Sequence, residues 1–158
     1  VELFGCRSAE AREYATELGL ALQVTNIIRD VKGDLERGRI YLPQADMAQF
    51  GVSEADLAAG AVTENVRRLL AFECARARDH YERAARALPA ACARKLVAAE
   101  IMGGIYFGIL QRIERRGYDV FSDVIRVPNR ARPAIALGVW ARSLLGLSGL
   151  RLDAASRT

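Results

Sequence analysis

Four polar residues near the start of the chain have the types and spacing of a metal site; they are Gln23, Asn26, Asp30 and Asp34. Intervals of three and four residues place them on one stripe of a helix, within an arc of roughly 80°. The neighbouring arc is apolar and consists of Leu20, Val24, Ile27, Ile28, Val31 and Leu35. Carboxylate and carboxamide oxygens at the edge of a core are hard ligands, so the stripe predicts Mg²⁺ rather than a transition metal.

The two carboxylates are unfavourable where they stand unless they have a cationic partner. Asp30 and Asp34 lie one turn apart and repel each other, and both are near the C-terminal end of their helix, where the macrodipole disfavours negative charge. A bound Mg²⁺ would remove both penalties. Because Mg²⁺ commonly uses one or two carboxylates together with substrate phosphates, so small a set of ligands is sufficient.

Basic residues surround the same stripe; they are Arg29, Lys32, Arg37 and Arg39. An anion held by both a metal and guanidinium groups is expected to be a diphosphate. The alternative is that Asp30 and Asp34 only form ion pairs with Arg29, Lys32 and Arg37 at a solvated helix end. Asn26 and Gln23 favour the metal site, since they extend the polar stripe beside an apolar face, where an unpaired amide is costly.

The elements that must position these residues are helices, because helical periodicity extends along nearly the whole chain without strand alternation. Helices are predicted over Glu10–Val31, Ser53–Ala59, Thr63–Pro89, Ala91–Arg116 and Pro133–Leu147, with Ser53 and Thr63 as N-caps and Gly117 as a C-terminal stop. Gly33–Gly51 is predicted to be a loop, and Tyr118–Arg132 irregular. Residues 1–158 are therefore expected to form one all-α region.

Composition excludes several classes of site and partner. The net charge is only +4, and the basic residues of the second long helix alternate with acidic ones, which is typical of a solvated face and not of a nucleic-acid-binding surface. The single histidine, His80, excludes a site that needs several imidazoles. Cys6, Cys74 and Cys92 are odd in number and lack metal-ligand spacing, so we expect reduced thiols, as in a cytoplasmic protein.

Membrane insertion is not predicted, since there is no signal peptide and no apolar run reaches the roughly 18 residues that a spanning helix needs. The segment Ala134–Leu147 contains Trp140 and has Arg142 as its only charge. This segment is a candidate for peripheral contact at the inner face of the membrane, with packing on the core as the alternative.

Three stretches resemble the squalene/phytoene synthase family: "LGLALQVTNIIRDVKGDLERGRIYLP", "FGC" near the start, and "AEIMGGIYFGILQRIERRGYDVFSDVIRVP". The first is similar to the second aspartate-rich motif of these head-to-head prenyltransferases, which have the all-α isoprenoid synthase fold. The resemblance implies that Asn26, Asp30 and Asp34 bind Mg²⁺. It further implies diphosphate or substrate contacts for the side chains of Gln23, Arg29, Arg39 and Tyr106, and a diphosphate-covering loop that contains Arg126, Arg130 and Arg132.

The reaction implied by the resemblance is the Mg²⁺-dependent condensation of two farnesyl diphosphates to presqualene diphosphate or squalene. The subtype that it most resembles is the bacterial presqualene diphosphate synthase of hopanoid biosynthesis. A phytoene or dehydrosqualene synthase is the alternative among enzymes. A helical binding or assembly protein without catalytic activity, or an inactive fragment, is the alternative of another class.

The family has two aspartate-rich motifs on facing helices, and this chain has only the second. Asp119 and Asp123 repeat the D-x-x-x-D spacing but lie in a stretch that resembles the C-terminal part of the family. The chain is therefore expected to be the C-terminal half of a synthase domain that lacks its N-terminal half. In isolation it is expected to be inactive.

Overall fold

The computed structural model describes residues 5–129 and 131–144. Within these ranges the chain forms six α-helices, a 3₁₀ turn at Ala90–Cys92 and no strand. The helices are α1 (Ala9–Leu35), α2 (Gln44–Gln49), α3 (Glu54–Ala58), α4 (Glu64–Ala87), α5 (Val97–Arg115) and α6 (Ala131–Leu144). The prediction of an all-α fold is confirmed.

Short polar side chains begin three of the helices. The Ser8 hydroxyl accepts a hydrogen bond from the Ala11 N–H, and the Thr63 hydroxyl accepts one from the Val66 N–H. Ser53 and Asp56 form a reciprocal capping box at α3. The predicted caps at Ser53 and Thr63 are therefore confirmed, and each such cap stabilises its helix by about 1 kcal/mol.

The predicted loop over Gly33–Gly51 is wrong at both ends. Helix α1 continues past Val31 to Leu35, and the Arg37 side chain donates to the Gly33 carbonyl at 2.7 Å, which satisfies a group near the helix end. Helix α2 lies inside the same segment. It is short and amphipathic, and it buries Met47 against the core, a tertiary contact that overrides the weak local signal.

The third and last long helices also differ from prediction at their starts. Instead of a helix from Ala91, the chain makes a 3₁₀ turn and irregular turns before α5 begins at Val97, and it buries Ala93 and Leu96 there. Helix α6 begins at Ala131, two residues before the predicted Pro133. Residues 145–147 of that predicted helix lie outside the described residues.

The core lies between α1 and α4, which pack along their lengths. Helix α5 packs against both of them, and α6 packs against α5. Its largest fully buried side chains include Tyr14 and Ile28 from α1, Leu70 and Tyr81 from α4, and Ile113 from α5. Each large apolar side chain of this kind contributes about 2 kcal/mol by leaving water. This packing fixes the face that α1 turns toward α5, and thereby the site.

Two of the three cysteines are paired, so the prediction of three reduced thiols is wrong. Cys6 and Cys92 form a disulfide with their Cα atoms 6.1 Å apart, whereas Cys74 is a buried free thiol whose pKa is raised by burial. The sequence separation is 86 residues. Only the folded chain brings the segment before α1 to the connection between α4 and α5, so spacing along the sequence carried no signal.

No helix in the described ranges has the length and apolar character to cross a membrane. On α6 the side chains of Leu137 and Trp140 are 64% and 52% exposed. Peripheral membrane contact by this helix stays a prediction.

Candidate functional site

The C-terminal half of α1 faces a cavity of about 580 Å³, which we call the outer cavity. Its lining residues are Arg29, Asp30, Lys32, Gly33, Asp34, Glu36, Arg37, Val120, Ser122, Asp123 and Val124. The first seven come from α1 and the turn after it, and the last four from residues 118–129, which follow α5. Both cations and carboxylates thus lie along the wall that α1 provides to this open, water-accessible space.

A second cavity of about 340 Å³, which we call the inner cavity, adjoins the first and has a larger share of apolar side chains in its lining. It shares Arg29, Asp30 and Val124 with the outer cavity. The rest of its lining is Ile105, Tyr106, Ile109, Arg126 and Val127. A ligand with a charged head and an apolar tail could therefore place the head in the outer cavity and the tail in the inner one.

Arg29 lies at the boundary between the two cavities and is held by two neighbours. Its Nε and Nη2 donate to the two carboxylate oxygens of Asp30 at 2.8 and 2.6 Å, a bidentate pair that raises the pKa of Arg29. The guanidinium carbon also lies 5.7 Å from the centroid of the Tyr106 ring. The structure therefore contains one of the ion pairs predicted as the alternative to a metal site.

Asp34 is less tightly paired than Asp30. Its Oδ1 lies 3.9 Å from Arg37 Nη1, beyond hydrogen-bonding distance, because Arg37 donates to the Gly33 carbonyl instead. The Asp34 side chain is 21% exposed and lines the outer cavity. Its carboxylate is well placed for an added cation.

Asn26 supplies the observation that favours a ligand at this stripe. Its Oδ1 atom is buried and accepts no hydrogen bond within the described part of the chain. A buried amide oxygen without a hydrogen-bond partner lowers the stability of a folded protein by about 1–3 kcal/mol, so its presence here needs an explanation. Together with Asp30 and Asp34, which follow at intervals of one helical turn, it makes a set of hard oxygen donors.

The donor set fits Mg²⁺ with phosphate better than a metal held by protein alone. Among the described residues no three His, Cys, Asp or Glu side chains come together as a complete metal site. A site with two carboxylates and one amide oxygen needs further ligands from water or phosphate, which is the usual manner of Mg²⁺ binding. The cations of the outer cavity would hold the same phosphate oxygens.

The structure brings four of the seven predicted site residues together, with three exceptions. Asn26 is the first: its buried Oδ1 belongs to the same stripe of α1, but Asn26 lines neither cavity. Arg29, Asp30, Asp34 and Tyr106 line the two cavities, but Gln23 is exposed farther back on α1 and lines neither. Arg39 lines neither of these cavities but shares a small third one, of about 10 Å³, with Asp34. Contacts of Gln23 and Arg39 with diphosphate stay predictions.

Residues 118–129 supply lining residues that the motif on α1 does not indicate. Asp119 is a local cap, because its carboxylate accepts hydrogen bonds from the N–H groups of Phe121 and Ser122, both at 3.0 Å. Asp123, four residues later, lines the outer cavity. The repeated D-x-x-x-D spacing thus joins two residues with different roles, and only the fold separates them.

The basic loop predicted to cover diphosphate is described only in part. Arg126 lines the inner cavity. Arg130 and the side chain of Arg132 lie outside the described residues. The covering role of this loop stays a prediction.

Comparison with proteins of known sequence gives many relatives. The 15-cis-phytoene synthase of Synechococcus elongatus is 46% identical over 118 residues, which cover 73% of this chain and 38% of that protein. Phytoene synthase 1 of Arabidopsis thaliana, a chloroplastic protein, is 37% identical over 141 residues, which cover 88% of this chain and 33% of that one. The chain thus spans well under half the length of these relatives.

Two solved structures also resemble this chain in fold. Squalene synthase HpnC from Alicyclobacillus acidocaldarius superposes with a TM-score of 0.63 at 37% identity, over 73% of this chain and 44% of that one. A dehydrosqualene synthase in complex with a ligand gives a TM-score of 0.68 at 28% identity, over 81% and 45% of the two chains. The family model for squalene/phytoene synthase matches residues 1–132. The chain therefore belongs to the squalene/phytoene synthase family of head-to-head isoprenoid synthases.

Proposed function

We propose that this chain supplies the second aspartate-rich half of a Mg²⁺-dependent synthase that joins two farnesyl diphosphates head to head, giving presqualene diphosphate, or squalene where a hydride donor such as NADPH reduces that intermediate. The observation that carries the proposal is that the two cavities share Arg29 and Asp30, so the charged lining of the outer cavity adjoins the more apolar lining of the inner one. The bond that must break in an allylic diphosphate joins a charged group to an apolar chain at such a boundary.

In the first step the bond between the allylic carbon and the diphosphate oxygen breaks, and its electron pair leaves with the oxygen. Arg29, Lys32 and Arg37 line the outer cavity and are available to bind the departing anion. Bound Mg²⁺, held by Asn26, Asp30 and Asp34, would add Lewis-acid stabilisation of the same leaving group. The allylic cation remains in the apolar space.

In the second step the cation is captured by the double bond of the other prenyl diphosphate, and loss of one proton closes a cyclopropane ring. Water would trap the cation, so this part of the site has to exclude it. Ile105, Ile109 and Val127 supply apolar lining in the inner cavity, and we expect the rest of the synthase domain to close that cavity against water. The ring of Tyr106 lies beside them, where an aromatic face can stabilise nearby positive charge.

The identity of the product is a separate question from the reaction class. Presqualene diphosphate or squalene is our first choice, in keeping with the solved relative named squalene synthase HpnC. Phytoene synthesis from a longer prenyl diphosphate is the second candidate, and it is favoured by the names of the relatives from Synechococcus and Arabidopsis. The two differ in the depth of apolar cavity that the whole synthase must provide.

The proposal includes the rest of the site. We expect that residues 1–158 act as the C-terminal part of a synthase domain, and that a first aspartate-rich motif outside this chain completes the metal site. The chain alone is then expected to bind Mg²⁺ and diphosphate without turnover. Leu137 and Trp140 of α6 are the proposed points of peripheral membrane contact. A cytoplasmic location was expected from three reduced thiols, and the disulfide between Cys6 and Cys92 removes that argument for it.

Calorimetric titration of the chain with inorganic pyrophosphate, with and without Mg²⁺, tests the half-site. We expect binding only with Mg²⁺, and its loss in Asp30→Asn. Asp79→Asn, which alters an exposed carboxylate paired with Arg83 on α4, is the matched control and should bind as the wild type does. Equal binding by both variants would contradict the metal assignment, and no binding by the wild type would favour the alternative of a non-catalytic helical protein.

The product is tested with a synthase that contains this chain together with its first motif. Supplying farnesyl or geranylgeranyl diphosphate with Mg²⁺ and analysing the lipid products by mass spectrometry separates the two candidates. We expect C30 products from farnesyl diphosphate. Exclusive formation of C40 products would establish phytoene synthesis instead, and turnover by residues 1–158 alone would contradict the half-site proposal.

A further inference from the structure

Residues 118–129 form the wall that faces the aspartates of α1, yet they contain no helix or strand. Val120 and Ile125 are buried, whereas Ser122, Asp123 and Val124 are exposed and line the outer cavity. The positions of these lining residues therefore depend on how the chain leaves α5. The backbone conformation at Gly117 and Tyr118 sets the direction in which residues 118–129 leave α5.

Helix α5 ends in a turn with two consecutive residues in the left-handed region. Gly117 has φ 62° and Tyr118 has φ 67°, while their N–H groups donate to the carbonyls of Glu114 and Ile113 at 3.0 and 2.9 Å. This is the Schellman arrangement, for which glycine at the first position is favourable. Tyr118 has a Cβ, so its left-handed conformation costs about 1–2 kcal/mol and has to be held by its surroundings.

Arg67 on α4 makes the contact that holds this turn. Its Nη1 donates to the Gly117 carbonyl at 2.5 Å, a hydrogen bond between residues 50 positions apart. The guanidinium group is also a cation at the negative end of α5. A Cβ built at Gly117 would lie 2.8 Å from the same Nη1, so Arg67 occupies space that only glycine leaves free.

A hydrogen-bonded turn connects Gly117 to the residues that line the outer cavity. Immediately after Tyr118, the Asp119 carboxylate accepts hydrogen bonds from the N–H groups of Phe121 and Ser122 and from the Ser122 hydroxyl. Residues 119–122 therefore move as a unit, and a change of direction at Gly117 would displace Ser122 and the following Asp123 relative to α1.

We infer that Arg67 is a positioning residue of the diphosphate site: through the Gly117 carbonyl it fixes residues 118–129 opposite Asp30 and Asp34. Arg67 lines neither cavity, so it acts through the backbone and not by touching the ligand. The inference rests on the proposed function, because it assigns the outer cavity to diphosphate.

The test compares Arg67→Ala, Arg67→Lys and the matched control Arg68→Ala, whose parent side chain lies on the same helix over the Phe50 ring. Three quantities are measured on the full chain: affinity for pyrophosphate with Mg²⁺, hydrogen exchange of amides 119–124, and the urea midpoint. For Arg67→Ala we expect roughly tenfold weaker affinity, equivalent to one hydrogen bond from a charged donor, and faster exchange. Arg67→Lys should recover at least half of the lost affinity in logarithmic units, and Arg68→Ala should match the wild type.

Each other outcome has a definite meaning. Faster exchange in Arg67→Ala with unchanged pyrophosphate affinity would overturn the inference and leave the proposed function intact. Weaker affinity that follows a lower urea midpoint, without recovery in Arg67→Lys, would show a merely structural role and also overturn it. Absence of Mg²⁺-dependent binding by the wild type would overturn the proposed function and this inference with it. If Arg67→Ala does not fold, Arg67→Lys decides, with an affinity below that of the wild type as the expected result.

Discussion

A buried carboxyl on α4 gives the sharpest prediction about stability. Glu73 is 2% exposed, and its two carboxylate oxygens accept hydrogen bonds from Arg76 Nη1 at 3.2 and 3.1 Å. The same nitrogen donates to Asp46 on α2 at 2.8 Å. Two carboxylates thus share one guanidinium nitrogen, and the cluster joins α2 to α4 just beyond the turn that follows Asp34.

The two carboxyls respond to this arrangement in opposite ways. Burial raises the pKa of Glu73 to about 7, while the hydrogen bond from Arg76 lowers the pKa of Asp46. Near neutral pH, Glu73 is therefore the member of the cluster that gains or loses a proton. We expect it to be protonated in the folded protein at pH 5 and ionised at pH 8.

The sign and size of the effect follow from linkage. Because the pKa of Glu73 is higher in the folded chain than its usual 4.5, folding favours the protonated form, and the resulting stability is complete below pH 4.5 and is lost as the pH rises through about 7. At 1.36 kcal/mol per pKa unit the loss would be roughly 3 kcal/mol. Arg76 remains 35% exposed on its side chain, and solvent screening reduces the expected loss to about 1–3 kcal/mol.

Glu73→Gln is the decisive variant, because glutamine has nearly the same shape and never ionises. Between pH 5 and pH 8 the wild type should lose about 2 kcal/mol more unfolding free energy than the variant does. Urea unfolding followed by circular dichroism at pH 5, 6, 7 and 8 measures the difference. Glu64→Gln, which alters a side chain 76% exposed on the same helix, should keep the wild-type profile. Parallel pH profiles for wild type and Glu73→Gln would refute the reasoning.

Three further predictions concern the core, a cap and the cysteines. Thr25→Val leaves the buried Tyr81 hydroxyl without its partner 3.3 Å away and should cost about 1–3 kcal/mol in urea unfolding, with less than additive loss when combined with Tyr81→Phe; full additivity would contradict the coupling. Ser53→Ala removes the capping box of α3 and should cost about 1 kcal/mol by the same assay, whereas an unchanged midpoint would mean that the cap contributes nothing. The chain unfolded without reductant should present one reactive thiol to a mass-tagging reagent, and three would contradict the pairing of Cys6 with Cys92.

Local spacing in the sequence was sufficient to predict the central features of the site. The stripe on α1, the caps at Ser53 and Thr63, and the glycine stop at Gly117 all depend on residues within one or two turns of each other. Such short-range rules operate whatever the rest of the chain does. The same is true of the motif around Asp30, from which the sequence predicted the family and the all-α fold that were confirmed. The metal and diphosphate ligands of that motif stay predictions.

Sequence reasoning failed where the deciding contact is distant along the chain. Helix α2 forms in a predicted loop because Met47 is buried in the core and Asp46 accepts a hydrogen bond from Arg76. The pairing of Cys6 with Cys92 depends on bringing the segment before α1 to the end of α4. Hydrophobic periodicity describes one element at a time and contains no information about contacts between residues that are distant along the chain.

The chain by itself therefore determined that α1 carries hard oxygen donors at one-turn intervals, which is the ground for the Mg²⁺ and diphosphate that we propose as its ligands. Tertiary structure alone decided what lies opposite them. Residues 118–129 form the second wall of the outer cavity because α5 ends against Arg67 and turns back toward α1. The physical reason is that a helix fixes side-chain spacing through its own hydrogen bonds, whereas a cavity exists only between elements, and its shape is set by how they pack.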